Sequence, residues 1–121
     1  MEDCIKIVSY LFHSRTQAHV FHLQTPSFAE HKALNDYYDE IIDLTDSLVE
    51  SYQGKYGILR GYSNYPILEY TNKDQVIMYF EALCSKIETL RQTNQDSYIQ
   101  NQIDSIVQLI KSTIYKLKCL S

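Results

Sequence analysis

The sequence predicts an all-α fold, a four-helix bundle in which a long crossover joins the second and third helices. Apolar residues recur at helical spacing in four separate stretches of the 121-residue chain. The chain contains only three glycines and two prolines, which is too few for the many turns of a β-sandwich or β-barrel. One segment, residues 54–72, lacks the helical period, and it is long enough to return the chain along a bundle.

The first predicted helix covers residues 3–24. Its apolar side is formed by Ile5, Val8, Leu11, Phe12 and Leu23. Pro26 ends this helix, because proline disfavours helical backbone at the residue before it. Ser27 and Glu30 then have the spacing of a capping box. We therefore expect a tight turn into a second helix that packs against the first.

The other three helices have clear apolar stripes. The second, residues 28–53, carries Leu34, Tyr37, Ile41, Leu44 and Leu48. The third begins at residue 73 or 74, ends near residue 92 and carries Val76, Phe80, Leu83, Ile87 and Leu90. The fourth, residues 96–120, carries Ile99, Ile103, Ile106, Ile110, Thr113, Leu117 and Leu120. Residues 93–95 are too few for more than a tight turn between the last two helices.

Composition and charge exclude several function classes. A chain of this length predicts a single domain, residues 1–121, and three widely spaced cysteines without a Cys-x-x-Cys motif indicate a reducing compartment. The start is acidic and no apolar run could span a bilayer, so we expect a cytoplasmic protein without a membrane partner. The net charge of −4 argues against nucleic-acid binding. Seven of the fifteen acidic residues lie within residues 30–50.

The first helical hairpin carries the histidines and carboxylates whose chemistry is most informative. At about 100° per residue, Asp46 and Glu50 lie about 60° and 100° from His31, whereas the apolar stripe is centred near 260°. These side chains therefore face another subunit or solvent. The turn brings His19 and His22 close to His31. Imidazoles and carboxylates are suitable ligands for iron, manganese or zinc.

The same residues have a simpler interpretation. An acidic helix face is most often solvated surface. His19 and His22 lie near the apolar side of their helix, where a histidine is more often a satisfied boundary residue than a ligand. At an interface between subunits, the same residue can be both a boundary residue and a metal ligand.

Three stretches of the first hairpin carry a resemblance to a known family. They are His22-Leu-Gln-Thr-Pro-Ser-Phe-Ala-Glu-His31, Tyr38-Asp39-Glu40 and Asp46-Ser-Leu-Val-Glu50. The steps of fifteen and four residues from His31 to Asp46 to Glu50 are the most informative part. Together they resemble the ferroxidase hairpin of Dps-type mini-ferritins in the ferritin-like superfamily. The similarity covers roughly residues 10–53, and the order of the helices fits throughout.

The resemblance implies a metal site between the subunits of a homo-oligomer. In that family, iron is bound between two subunits by a histidine of the first helix, a histidine that opens the second, and an aspartate and a glutamate farther along it. The matching residues here are His22, His31, Asp46 and Glu50, with His19 as the alternative to His22. The context around the turn favours His22. The implied activity is ferroxidase-type oxidation of Fe(II) by oxygen or peroxide.

Departures from the family pattern leave a second function open. The family commonly has an acidic residue four positions after the second histidine, where this chain has Asn35. The basic N-terminal tail by which some Dps proteins bind DNA is also missing, because the chain begins with Met-Glu-Asp. The tract Tyr52-Gln-Gly-Lys-Tyr-Gly57, together with His31-Lys-Ala33, resembles short ferritin-like proteins of tailed phages. This second resemblance implies that the protein is located in the host cytoplasm or in the virion. The alternative function is a catalytically inactive structural or interaction protein, and the second resemblance implies that it belongs to a bacteriophage. A third, DNA-associated role is disfavoured by the acidic balance.

Overall fold

The structure, a computed structural model, describes residues 2–120 and consists of four long α-helices. They are α1 (Glu2–Gln24), α2 (Phe28–Tyr56), α3 (Lys73–Thr93) and α4 (Ser97–Cys119). Residues 2–120 contain no β-strand, which confirms the predicted all-α class. The predicted bounds are correct to within one residue, except that α2 ends three residues later than expected. Of the predicted domain, residues 1–121, Met1 and Ser121 lie outside the described residues.

The helices form a bundle in which α2 and α3 run in the same direction. α1 contacts α2 and α3, and α4 contacts the same two helices, so α2 and α3 lie diagonally across the bundle. The short turns make α1 antiparallel to α2, and α3 antiparallel to α4. The ion pairs Lys55–Asp96 and Lys116–Asp36 show that α2 and α4 are also antiparallel. The connection from α2 to α3 must therefore return along the bundle, which confirms the predicted crossover.

The turn between α1 and α2 is fixed by hydrogen bonds around Glu30. The Ser27 hydroxyl accepts a bond of 3.2 Å from the Glu30 backbone N–H, which satisfies one free donor at the start of α2. The Glu30 carboxylate does not bond back to Ser27, so the reciprocal half of the predicted capping box is wrong. It accepts bonds from the Thr25 and Tyr70 hydroxyls instead. This buried carboxylate thus ties the turn to the crossover.

The crossover, residues 57–72, lies along α1 and is held by polar α1 side chains. The bonds join Ser9 to Ser63, His13 to Pro66, Gln17 to Leu68 and Gln24 to Tyr70, always at the crossover backbone. Between the first and last of these, α1 rises about 22 Å, and seven extended residues of crossover span about 23 Å. Because these two lengths match, residues 63–70 can follow α1 in an extended conformation. The crossover is three residues shorter than predicted, because α2 extends further.

Gln17 makes the strongest of these attachments, and its loss should loosen the crossover. Its side chain is 0% exposed, accepts a 2.7 Å bond from the Leu68 N–H and donates a 2.9 Å bond to the Leu68 carbonyl. We expect Gln17→Ala to lower the free energy of unfolding by about 2 kcal/mol, because it removes two hydrogen bonds and leaves a small cavity. Amide exchange at Leu68 should accelerate in the same variant.

The exposed Gln24 provides the control for this prediction. Gln24→Ala also removes two hydrogen bonds, one from the Tyr70 N–H and one to the Glu69 carboxylate, but both are at a solvated position, so its cost should stay below about 1 kcal/mol. Chemical denaturation of both variants measures the difference. Equal losses would contradict the assignment of Gln17 as the main anchor.

The predicted core stripes are correct for three helices and partly wrong for α1. All predicted positions of α3 are buried, as are those of α4 except Leu120, and those of α2 except the half-buried Leu44. On α1, Ile5 is half-buried, while Phe12 and Leu23 are 46% and 68% exposed. Phe12 packs on Tyr62 of the crossover rather than in the bundle. The buried α1 positions that the pattern did not identify are partly apolar and partly polar: Cys4, Ile7, Ala18 and Phe21, with Ser9, Ser14, Gln17 and His22.

Polar residues occupy some of the buried α1 positions because each finds a hydrogen-bond partner. The Ser14 hydroxyl bonds to the Leu11 carbonyl and, at 2.7 Å, to the Tyr37 hydroxyl. Burial raises the pKa of Tyr37 above its ordinary value, so this phenol stays protonated and able to bond. Gln17 is satisfied by the crossover. A buried polar group with partners is tolerated where an unpaired one is not.

Candidate functional site

Two of the predicted ligands, His22 and His31, form a reciprocal pair at the hairpin turn. Their rings stack with centroids 3.6 Å apart and planes 21° from parallel. The Nδ1 atom of His22 lies 2.7 Å from the His31 carbonyl oxygen, and the Nδ1 atom of His31 lies 2.9 Å from the His22 carbonyl oxygen. The tight turn thus brings together two residues nine positions apart, as the sequence predicts.

These hydrogen bonds determine which ring nitrogen carries the proton. A carbonyl oxygen only accepts hydrogen bonds, so each Nδ1 must donate its hydrogen. In the neutral ring, the lone pair is then on Nε2, and neither Nε2 atom has a hydrogen-bond partner within residues 2–120. Metal-binding histidines are commonly oriented in this way, with the other ring N–H bonded to a carbonyl. The geometry of the pair is thus compatible with Nε2 as a ligand atom.

His19 lies beside this pair but is held differently. It is exposed, its ring stacks on Tyr38 at a centroid distance of 4.5 Å, and its centroid is 5.9 Å from that of His22. No hydrogen bond fixes its ring within the described chain. His19 thus stays close enough to join a site that includes His22, whereas the bonded geometry of His22 favours it as the first-helix histidine.

The two predicted carboxylate ligands lie far from the histidines of the same chain. Asp46 and Glu50 are exposed on α2, about 22 Å and 28 Å along the helix from His31. Among residues 2–120, no three His, Cys, Asp or Glu side chains come together as a metal-binding group. Within one chain, the predicted histidine ligands and the predicted carboxylate ligands therefore lie at two separate places.

The α2 surface that bears these residues is acidic and largely unpaired. Asp43, Asp46 and Glu50 have no ion pair or hydrogen bond with another described side chain, whereas Asp36 pairs with Lys32 and Lys116. Carboxylates without a neighbouring cation are available to a cation from solution. This side of α2 can thus attract a metal ion.

Asn35, four residues after His31, lies in a short chain of hydrogen bonds. It accepts a 2.7 Å bond from the Tyr38 hydroxyl and donates a 3.2 Å bond to the Asp39 carboxylate. An amide at this position adds no negative charge. The structure thus places a hydrogen-bonding residue where the resembled family commonly has a carboxylate.

Sequence reasoning did not single out His13, which the fold places in another polar contact. Its Nε2–H donates to the Pro66 carbonyl at 2.9 Å, and its Nδ1 accepts from the Tyr79 hydroxyl at 2.7 Å. Burial raises the pKa of Tyr79 well above its ordinary value. Because both partners are more than fifty residues away, no local pattern could have revealed this contact.

Comparisons with known proteins identify one family. A model described as a family of unknown function (DUF5856) matches residues 22–117, a region that includes His22, His31, Asp46 and Glu50. No curated protein and no solved structure matches the chain. None of the helices in residues 2–120 is long and apolar enough to cross a membrane.

Proposed function

The chain belongs to the DUF5856 family, a family of unknown function, and we propose that it binds Fe(II) between two copies of itself and oxidises it, as a Dps-like mini-ferritin. The observation that supports this proposal most directly is the reciprocal pair of His22 and His31. Both rings direct their proton to a backbone carbonyl, which leaves the Nε2 atoms for a metal. The four-helix bundle with a long crossover supports the ferritin-like interpretation.

A two-fold pairing of α2 with its copy completes the ligand set. In an antiparallel pair of α2 helices centred near residue 39, His31 of each copy lies opposite residues 46–50 of the other. Asp46 and Glu50 are one turn apart and reach the same point. Such an isologous contact creates two identical sites. The distance along α2 between His31 and residues 46–50 prevents a site within one chain, and the same distance allows a site between two antiparallel copies.

Apolar residues beside the site favour such a contact. At about 100° per residue, Ile42 and Val49 lie within about 20° of His31 around α2. Ile42 is exposed and Val49 is half-buried. Near the centre of the pairing, the Asp39 carboxylates of the two copies come close and repel each other. The hydrogen bond that each Asp39 carboxylate accepts from Asn35 offsets part of this repulsion. A dimer would cover this apolar surface.

The proposed ligands suit iron in both oxidation states. Imidazole nitrogen binds Fe(II) well, and carboxylate oxygen favours the harder Fe(III) ion. Two Fe(II) ions supply the two electrons that reduce one peroxide molecule to water. Histidine and carboxylate ligands would hold the iron and adjust its potential. The described cysteines are free, and they fit a cytoplasmic location.

A second candidate is a ferritin-like protein without the chemistry, with a structural or interaction role. Asn35 favours it, because its amide replaces a carboxylate of the resembled family and is already bonded to Tyr38 and Asp39. In this case the resemblance to ferritin-like proteins of tailed phages supports a role in a phage particle or an infected cell.

Native mass spectrometry and anaerobic Fe(II) titration together test the proposal. We expect a dimer or a larger even-numbered oligomer that binds a small whole number of Fe(II) ions per chain, with a ferric absorbance once air or peroxide is added. A strict monomer would remove the second half of the site and refute the proposal. An oligomer without saturable iron binding would establish the structural alternative.

A further inference from the structure

A groove between the first half of α1 and the second half of α3 has the features of a separate ligand site. It is open to solvent on one side, has a volume of about 230 Å³ and lies at the opposite end of α1 from the histidine pair. The buried side chains of Ile7 and Leu90 form an apolar floor, and Lys6 and Lys86 lie at its sides. The groove thus combines an apolar surface with two cations.

Neither lysine is neutralised by a carboxylate of the described chain. Ion pairs occupy Lys32, Lys55, Arg91, Lys111, Lys116 and Lys118. Lys6 and Lys86 form none within residues 2–120, although the Asp3 carboxylate also lines the groove. Their charges are therefore available to an anion that enters.

Lys86 is held in place by an aromatic ring rather than by an acid. Its Nζ atom lies 4.2 Å from the centroid of the Tyr10 ring. Tyr65 of the crossover stacks on the same ring at 4.6 Å with planes 15° from parallel, so the lysine occupies the other face. A cation–π contact positions an ammonium group without cancelling its charge. The side chain is thus ordered before a ligand binds.

The threonines of the groove do not compete for the anion. The Thr89 hydroxyl donates to the Ser85 carbonyl and the Thr93 hydroxyl donates to the Leu90 carbonyl. With their hydrogens used in this way, both hydroxyls offer only acceptor positions to a ligand. Anion recognition in this groove therefore depends on the two lysines.

We propose that this groove binds a small aromatic carboxylate, with its ring on Ile7 and Leu90 and its carboxylate between Lys6 and Lys86. The volume sets the size, because a cavity of about 150 Å³ accepts benzene, and the remaining space accommodates a carboxylate. Apolar contact with the ring and charge-assisted bonds to the acid are both needed for affinity. This site is independent of the proposed iron chemistry.

Titration with benzoate tests the proposal, with the binding followed by amide chemical shifts at low salt. We expect saturable binding, with the largest shifts in residues 6–10 and 86–93. Lys86→Gln and Lys6→Gln should each weaken binding about tenfold, because each removes one charge-assisted hydrogen bond. Lys73→Gln removes a cation that lies outside the groove and forms no ion pair within residues 2–120, and it should leave the affinity unchanged. Thermal melts verify that all variants fold.

Related probes separate charge from shape. Benzylamine, which reverses the charge, and benzyl alcohol, which lacks it, should bind at least about tenfold more weakly than benzoate. Inorganic phosphate should also bind more weakly, because it lacks the ring. The proposal is overturned if benzoate does not saturate below about 10 mM, if Lys73→Gln weakens it as much as Lys86→Gln, or if phosphate binds as tightly.

Discussion

Replacement of Ile106 by aspartate is expected to abolish cooperative folding. Ile106 is 0% exposed in the middle of the core stripe of α4, so the variant would bury a carboxylate without a partner. The cost of an unpaired buried charge is several kcal/mol, which is comparable with a total stability of about 5–15 kcal/mol. Circular dichroism during thermal or urea denaturation measures the effect.

Two variants calibrate this prediction. Ile106→Val keeps the position apolar and should cost only about 1 kcal/mol. Leu44→Asp should be milder than Ile106→Asp, because Leu44 is half-buried and an aspartate there can reach water. The sequence pattern alone assigns Leu44 and Ile106 equal weight. A cooperative melt of Ile106→Asp close to that of the unmodified chain would show that the core stripe of α4 is wrong.

Removal of both predicted carboxylate ligands should abolish saturable iron binding. Asp46→Asn together with Glu50→Gln keeps the size of both side chains and eliminates two anionic ligands. The fold should survive, because both residues are exposed and have no ion pair within the described chain. Stability of the metal-free protein should be equal or higher, since fewer like charges repel one another on α2.

The matched control removes two other α2 carboxylates. Glu40→Gln with Asp43→Asn changes the net charge by the same amount at exposed positions, and it should leave the iron stoichiometry intact. Anaerobic Fe(II) titration compares the two double variants. Weak binding that neither double variant changes would indicate scattered surface carboxylates and would falsify the site.

A mixing experiment distinguishes a site between chains from a site within one chain. Neither His31→Ala nor the Asp46→Asn, Glu50→Gln variant should form a complete site alone. When the two are unfolded together and refolded in equal amounts, a mixed dimer unites one intact His31 with one intact pair of carboxylates. Random pairing should restore about a quarter of the original sites. No recovery in mixed dimers would exclude shared ligands.

The sequence by itself determined the four helices, their bounds except the end of α2, and the need for a crossover. These features depend on local signals: the period of apolar residues, the Ser27 cap, Pro26 in the first turn and the absence of a period in residues 54–72. The closeness of His22 and His31 also followed from sequence, because a tight turn between two helices fixes which ends meet. Such signals require no knowledge of distant residues.

Only the tertiary structure decided which α1 residues are buried and how the histidines are bonded. Ser14 and Gln17 occupy the core because Tyr37 and Leu68 supply their hydrogen bonds, whereas Leu23 stays exposed although it is apolar. The same holds for Lys86, which the fold places over Tyr10. The free energy of burying a polar group depends on the partner that the fold brings to it, and that partner lies far away in the sequence.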